Sequence, residues 1–326
     1  MIPIWKDTPA SFETLKNAVT VELSVDGEVI YKGKLVDQPG NIYVTTFVNR
    51  IAKDYLSAKI EFDRDNDVHR QERYVREFTI SPATTAGVSA YKFYCDYGYE
   101  EGGVAEGALS VISRPMSKVV DPRQILFCTF ADLTDNTVNK VMMQQHNNNA
   151  ILVTAGEGKC QTFTFQLQNA LNGSTIDIVD GMTRTVLASY DVRSTCAKYC
   201  LYYLNAHGGY DHLLINGNAM RTDKFTRTEI SKSVNNTTLA HSRQTIATEV
   251  TPTWKLYTDC LTDEQWKLTH HLLGSSHIFL HDLETDEITP VVITSSVAEY
   301  KSYRNQGNKK SYLTIDVEAS VKRMRK

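Results

Sequence analysis

Apolar and polar residues alternate at Val19, Val21, Leu23 and Val25, break at Asp26-Gly27, and an apolar-rich run then follows from Val29 to Val36. Period-two alternation sets one face of a strand against a core. Asp-Gly between two such runs predicts a β-hairpin with a two-residue type I′ turn in which Gly27 supplies the positive φ. Asn41 to Phe47 reads as another strand, and Phe47, Ile51 and Tyr55 recur at helical spacing across a short helix. From Asp96 to Gly107 the pattern lapses into glycines and acidic residues, with Pro115 and Pro122 soon after, which predicts a loop and a domain boundary.

Short strand candidates then recur at Ile125 to Phe130, Ile151 to Thr154, Thr162 to Leu167, Thr175 to Val179 and Thr185 to Tyr190, a rhythm that predicts a small β-sandwich. Tyr199 to Leu204 is a continuous apolar run, read as a buried strand, with turns at Gly208-Gly209 and Asn216-Gly217. Further strands are read at Phe225 to Ile230, Glu249 to Tyr257, His277 to Leu283, Ile288 to Thr294 and Val297 to Tyr303. The helix signal over 262–273 is strong. Thr262 and Gln265 form a capping-box pair, Leu261 and Trp266 a hydrophobic staple, and Gly274 a stop, with Trp266 and Leu273 expected to pack on the sheet. The last strand places Leu313, Ile315, Val317, Ala319 and Val321 on one face and Tyr312, Thr314, Asp316 and Glu318 on the other. With no Pro or Gly from Ser311 to Val321 to blunt an edge, that strand is either central in its own sheet or paired with a neighbouring copy.

Composition adds that the chain is folded and mostly β: 326 residues, 41% hydrophobic, with 17 Tyr and 11 Phe. The formal charge of -3, with both signs interspersed, lacks the one-signed field that phosphate-backbone binding needs. No leader pattern or membrane-length apolar run is read, so a soluble cytosolic product is expected. The six cysteines are read as reduced thiols; Cys196 and Cys200 lack a second pair at zinc-finger spacing. Ala155 to Cys160 fails the phosphate-loop pattern at Val153 and Cys160, and Asp63, Asp65 and Asp67 fail the calcium-loop pattern at Val68 and Tyr74. His270, His271, His277, His281 and Asp282 do not make the paired-histidine helix of a zinc protease. No nucleophile elbow is present, and no carboxylate pair stands out as a general acid and base. These readings predict no cofactor, no metal and no catalysis.

Tyr202-Tyr203-Leu204-Asn205, the glycine turn before Tyr210, a long hairpin, the helix opening Leu261-Thr262-Asp263, then His277 to Asp282 and a final strand ending in Lys and Arg follow an order that resembles the β-sandwich-plus-helix unit of tailed-phage tail-tube and distal tail proteins, in the form found in phages of gut Bacteroidota. Ile2 to Thr8 and Val29 to Gly33 resemble the start of uncharacterised proteins of such phages. The likeness spans residues 194–326 and about the first sixty, and leaves the middle third unassigned. With the strand pattern above, the expectation is a mainly β chain of tandem antiparallel β-sandwich domains: an N-terminal β domain over 1–115 and a small sandwich over 116–193, both read from the pattern, and over 194–326 the tail-tube-like sandwich with a helix that the resemblance implies. The implied role is a virion protein assembled in the host bacterial cytoplasm. It would form a homo-oligomeric ring, expected to be a hexamer, between tail tube and tip or baseplate, with residues 194–326 nearest a channel that passes DNA without specific binding. Asp316, Glu318, Lys322 and Arg323 are the expected assembly contacts. A carbohydrate-binding or adhesin module is the alternative function, and a degenerate hydrolase a third.

Overall fold

The computed structural model describes residues 2–3, 9–13, 18–25, 28–36, 43–47, 68–71, 76–82, 91–96, 109–132, 140–145, 150–154, 160–167, 170–231, 243–299, 312–321 and 323–325. The turn at Asp26-Gly27, the proposed helix after Phe47, the Asp63 to Asp67 run, the Gly-rich stretch before 108 and the Ala155 to Lys159 loop lie outside them. The chain divides into two compact units, Met1–Ser194 with Leu204–Asp211, and Thr195–Tyr203 with His212–Lys326. Both are β structures, and no described helix is long and apolar enough to cross a membrane.

The first unit begins with β1 (Ile2–Pro3), β2 (Pro9–Glu13), β3 (Ala18–Val25), β4 (Glu28–Val36), β5 (Tyr43–Phe47), β6 (Val68–Gln71), β7 (Arg76–Pro82) and β8 (Tyr91–Asp96). Five of these form a sheet in the order β1-β8-β7-β3-β4, while β2 pairs with β5. The alternation along β3 is realised in packing: Val21 and Leu23 are fully buried, and Leu23 lies opposite buried Ile80 of β7. A bulge beside Leu23 and Ser24 shifts the β3–β4 register before Val25 meets Glu28.

Next come β9 (Leu109–Val111), β10 (Val119–Val120), β11 (Ile125–Asp132), β12 (Lys140–Gln145), β13 (Ala150–Thr154), β14 (Cys160–Gln166), β15 (Thr175–Asp180) and β16 (Val186–Val192). They build two sheets, β10-β16-β15-β12-β13 and β6-β14-β11-β9. One core joins them, with Leu126, Phe130, Phe163, Phe165, Ile178 and Tyr190 among its members. Phe130 and Phe163 stack with ring centroids 5.6 Å apart. Fully burying each such side chain contributes roughly 1.5–3 kcal/mol, so this core is ample for a sandwich. Two strands from before residue 116, β6 and β9, belong to its second sheet. β12 went unread because Lys140-Val-Met-Met-Gln-Gln has one β-branched residue and no apolar–polar alternation to announce it.

The second unit holds β17 (Tyr199–Leu204), β18 (Tyr210–Ile215), β19 (Ala219–Ser231), β20 (Arg243–Tyr257), α1 (Asp263–Lys267), α2 (Thr269–Leu273), β21 (Ile278–Asp282), β22 (Glu287–Glu299), β23 (Tyr312–Ala319) and β24 (Arg323–Arg325), although the last residue of β17, the β17–β18 turn and the first two residues of β18 fall in the first unit. Its sheet runs β18-β17-β21-β22-β23-β20-β19, with β24 also on β20. Six strand-to-strand steps of ~4.8 Å would separate the outer strands of a flat sheet by ~29 Å. Only Asn216, Gly217 and Asn218 connect β18 to β19, a link that spans at most ~14 Å. The sheet therefore curls back on itself, and this is how one sheet makes a sandwich-like core. At the link, a Cβ on Gly217 would sit 2.2 Å from the Tyr257 carbonyl oxygen, so the crossing requires glycine.

β23 is central, between β20 and β22. Of the two alternatives read from its sequence, the first is present: β20 and β22 pair with its two edges. Leu313, Ile315, Val317 and Ala319 are buried as their alternation requires, but Val321 is 63% exposed because the strand ends at Ala319. The segments read as separate strands at Ile288 to Thr294 and Val297 to Tyr303 are one strand, β22, over their described part; a bulge at Thr294 absorbs the break in alternation. The helix read over 262–273 is two short segments meeting at Leu268. Its capping box is present: Gln265 N donates to Thr262 Oγ1 at 3.2 Å and Thr262 N to Gln265 Oε1 at 2.9 Å. The break rotates the packed face, burying Thr269, His271 and Leu272 and leaving Trp266 and Leu273 half-buried.

Candidate functional site

Three polar arrangements were open to a chemical reading. The first is a relay in the second unit. His281 of β21 is fully buried, its Nε2 donates to Asp286 Oδ1 at 2.8 Å, and its Nδ1 lies 3.0 Å from the Tyr202 hydroxyl of β17. With Nε2–H committed to the carboxylate, a neutral ring accepts from Tyr202. Tyr202 is itself fully buried, so no substrate atom reaches its oxygen; the relay ties β17 to the β21–β22 turn. The His270 and His271 rings lie 4.2 Å apart between centroids, tilted by 55°, in different surroundings, one exposed and one buried. Cys196 is exposed and Cys200 buried, and no group of three or more metal-ligating side chains exists among the described residues. Burial pushes the Cys128 thiol up to about 12, which keeps it protonated and unreactive.

The second arrangement belongs to the first unit and is built on the turn between β17 and β18. Asn205 Oδ1 accepts from His207 N at 2.9 Å and Gly209 N at 2.8 Å, while its Nδ2 donates to Ile112 O at 3.1 Å and Asp211 Oδ2 at 3.0 Å. Arg114 N donates to Asp211 Oδ1 at 2.6 Å, and Ser113 Oγ donates to Tyr210 O at 2.9 Å. Gly208, at φ +84°, makes the turn possible. Burial pushes the Asp211 carboxyl up to about 7, against the donations from Asn205 and Arg114 that pull it down. Both Asp211 oxygens and both Asn205 side-chain atoms are occupied by protein groups, so the cluster is a latch that fixes the turn.

The third arrangement is a surface. Every residue of β19 is exposed, on both faces, and Met220, Phe225 and Ile230, with Ile246 of β20, are large apolar side chains left in solvent. β20 continues inward to β23 only over Thr253 to Tyr257 and to β24 over Thr248 to Val250. Its outer part, Arg243 to Ala247, pairs with β19 alone among the described strands. The hairpin is thus an arm whose far edge, along the thirteen residues of β19, pairs with no other described strand. The sequence reading recognised only Phe225 to Ile230, because neither face of Ala219 to Ser231 is apolar and the alternation of charge with threonine mimics a loop. A run of thirteen residues without Gly or Pro was the available signal.

The expected assembly contacts are dispersed. Asp316 and Glu318 share the polar face of central β23 and are half-buried; Asp316 Oδ2 accepts from Ser295 Oγ at 2.8 Å and the residue lies opposite Lys255. Arg323 opens β24, in register with Val250, and Lys322 lies outside the described residues. No protein-family model matches the chain, and no curated protein matches it significantly.

Proposed function

We propose that this chain is a structural protein of a phage tail that works through contact with other protein chains, as a homo-oligomeric ring, sixfold in its simplest form, between the tail tube and the tip or baseplate. The observation that carries the reading is the β19–β20 arm. Thirteen exposed residues in an outermost strand, with Met220, Phe225 and Ile230 left in solvent on an arm, suit a protein that meets a partner there. The order of elements from Tyr199 to Arg325 that resembles tail-tube and distal tail proteins supports the same reading. Mass measurement in solution together with negative-stain images tests it. A closed ring is expected; a strictly monomeric chain, inside a particle or out, would overturn it, and a glycan-array hit on that monomer would favour the carbohydrate-binding alternative.

A further inference from the structure

Ala219 to Ser231 is numerically centred on Phe225, and most positions equidistant from it carry either opposite charges or side chains of like type. On one face, Arg221 and Glu229 stand four residues either side of Phe225, and Asp223 and Arg227 two residues either side. On the other face, Met220 mirrors Ile230, Thr222 mirrors Thr228, and Lys224 mirrors Thr226. The β19–β20 bulge adds its extra residue, Ile246, to β20, so the alternation along β19 is unbroken.

Antiparallel pairing of two identical strands puts a two-fold axis perpendicular to the sheet, and residues directly opposite each other point to the same face. The axis must then pass through a residue, which faces its own copy. With Phe225 at the centre, the two rings meet, Asp223 faces Arg227 of the second copy, Arg221 faces Glu229, Met220 faces Ile230 and Thr222 faces Thr228. Moving the axis by one residue destroys this. Centred on Lys224, lysine faces lysine and Arg221 faces Arg227; centred on Thr226, Asp223 faces Glu229. Like charges directly opposed are destabilising, so the neighbouring registers are disfavoured.

We infer that the exposed edge of β19 is a self-association site, where a second copy of this chain adds its own β19 antiparallel across a two-fold axis at Phe225. Backbone hydrogen bonds supply the attraction, and the paired charges select the register. The interface is isologous, so each copy contributes the same patch. This rests on reading the chain as an assembly component and names the partner of its arm; a ring closed through other surfaces and joined in this way holds its copies in pairs.

Sedimentation of the full chain with charge reversals tests the inference. Asp223→Arg opposes arginine to arginine in both halves of the pair, and Arg227→Asp opposes aspartate to aspartate. Both side chains are exposed, so circular dichroism of either variant should match the original chain. Each variant alone is expected to lose the paired state, weakening self-association by about tenfold or more. An equimolar mixture of the two is expected to restore it, because each arginine pair then meets an aspartate pair in trans. Variants that keep the original mass, or a mixture that fails to re-form the pair, would overturn the inference while leaving a ring intact. A monomeric original chain would overturn the ring as well.

Discussion

β18 and β19 are the two outer strands of one sheet, separated by three residues of chain, and they have opposite fates. All six residues of β18 are buried; all thirteen of β19 are exposed. The difference follows from composition. Tyr210-Asp-His-Leu-Leu-Ile carries apolar side chains on both faces, and its first polar groups are absorbed by the Asn205 latch. β19 alternates charge and threonine around a few isolated apolar residues, which leaves no face that a core would accept. An outer strand is therefore not an open edge by position alone. One outer strand here is buried in folding, and the other stays in solvent.

The contrast is broken most sharply by placing a charge on the buried strand. Ile215→Asp puts an unpaired carboxylate where the side chain is 1% exposed, and a loss of more than about 4 kcal/mol is expected in urea unfolding, or no folded second unit at all. A loss under about 1 kcal/mol would mean that β18 is not sealed.

The next test uses pH. The Asp211 carboxyl is raised from 3.8 to about 7 in the folded chain. Between those values the folded state binds a proton that the unfolded state has released, so folding stability should fall as pH rises through roughly 4 to 7 and level off above, by up to about 4 kcal/mol. Asp211→Asn, which cannot ionise, should flatten that slope. A variant with the same pH profile as the original chain would show that another group sets it.

The smallest effect is expected on the open edge. Ile230→Asp is the same chemical change as Ile215→Asp, made where the side chain is 37% exposed. Unfolding of the dilute monomer should shift by no more than about 0.5 kcal/mol. A larger loss would mean that the arm is packed against something within its own chain.

How far the sequence disclosed this molecule depended on whether burial was one-sided or two-sided. β23 and β3 were legible because one face packs and the other does not; Leu313 through Ala319 fell where the alternation put them. β17 was legible because its unbroken apolar run has burial on both faces. The capping box was legible because it is chemistry among neighbours in the chain, but the break at Leu268 depends on packing and moved the buried face to Leu272. β22 was read as two pieces because a bulge reverses alternation without ending the strand. The arm escaped notice for a different reason. The mirror relation about Phe225 is present in the sequence, yet it carries meaning only once Ala219 to Ser231 is known to be an exposed outer strand.

The place of β23 has a consequence for how the chain is made. It alone joins the group β18-β17-β21-β22 to the pair β20-β19, and it lies later in the chain than every strand it connects. While the nascent polypeptide emerges, those two groups have no common backbone ladder. The sheet can be completed only after Tyr312 to Ala319 has cleared the ribosome exit, whereas the sandwich centred on Phe130 and Phe163 has its strands in hand more than a hundred residues earlier. Such an order of birth gives the first unit time to settle before the sheet of the second is closed.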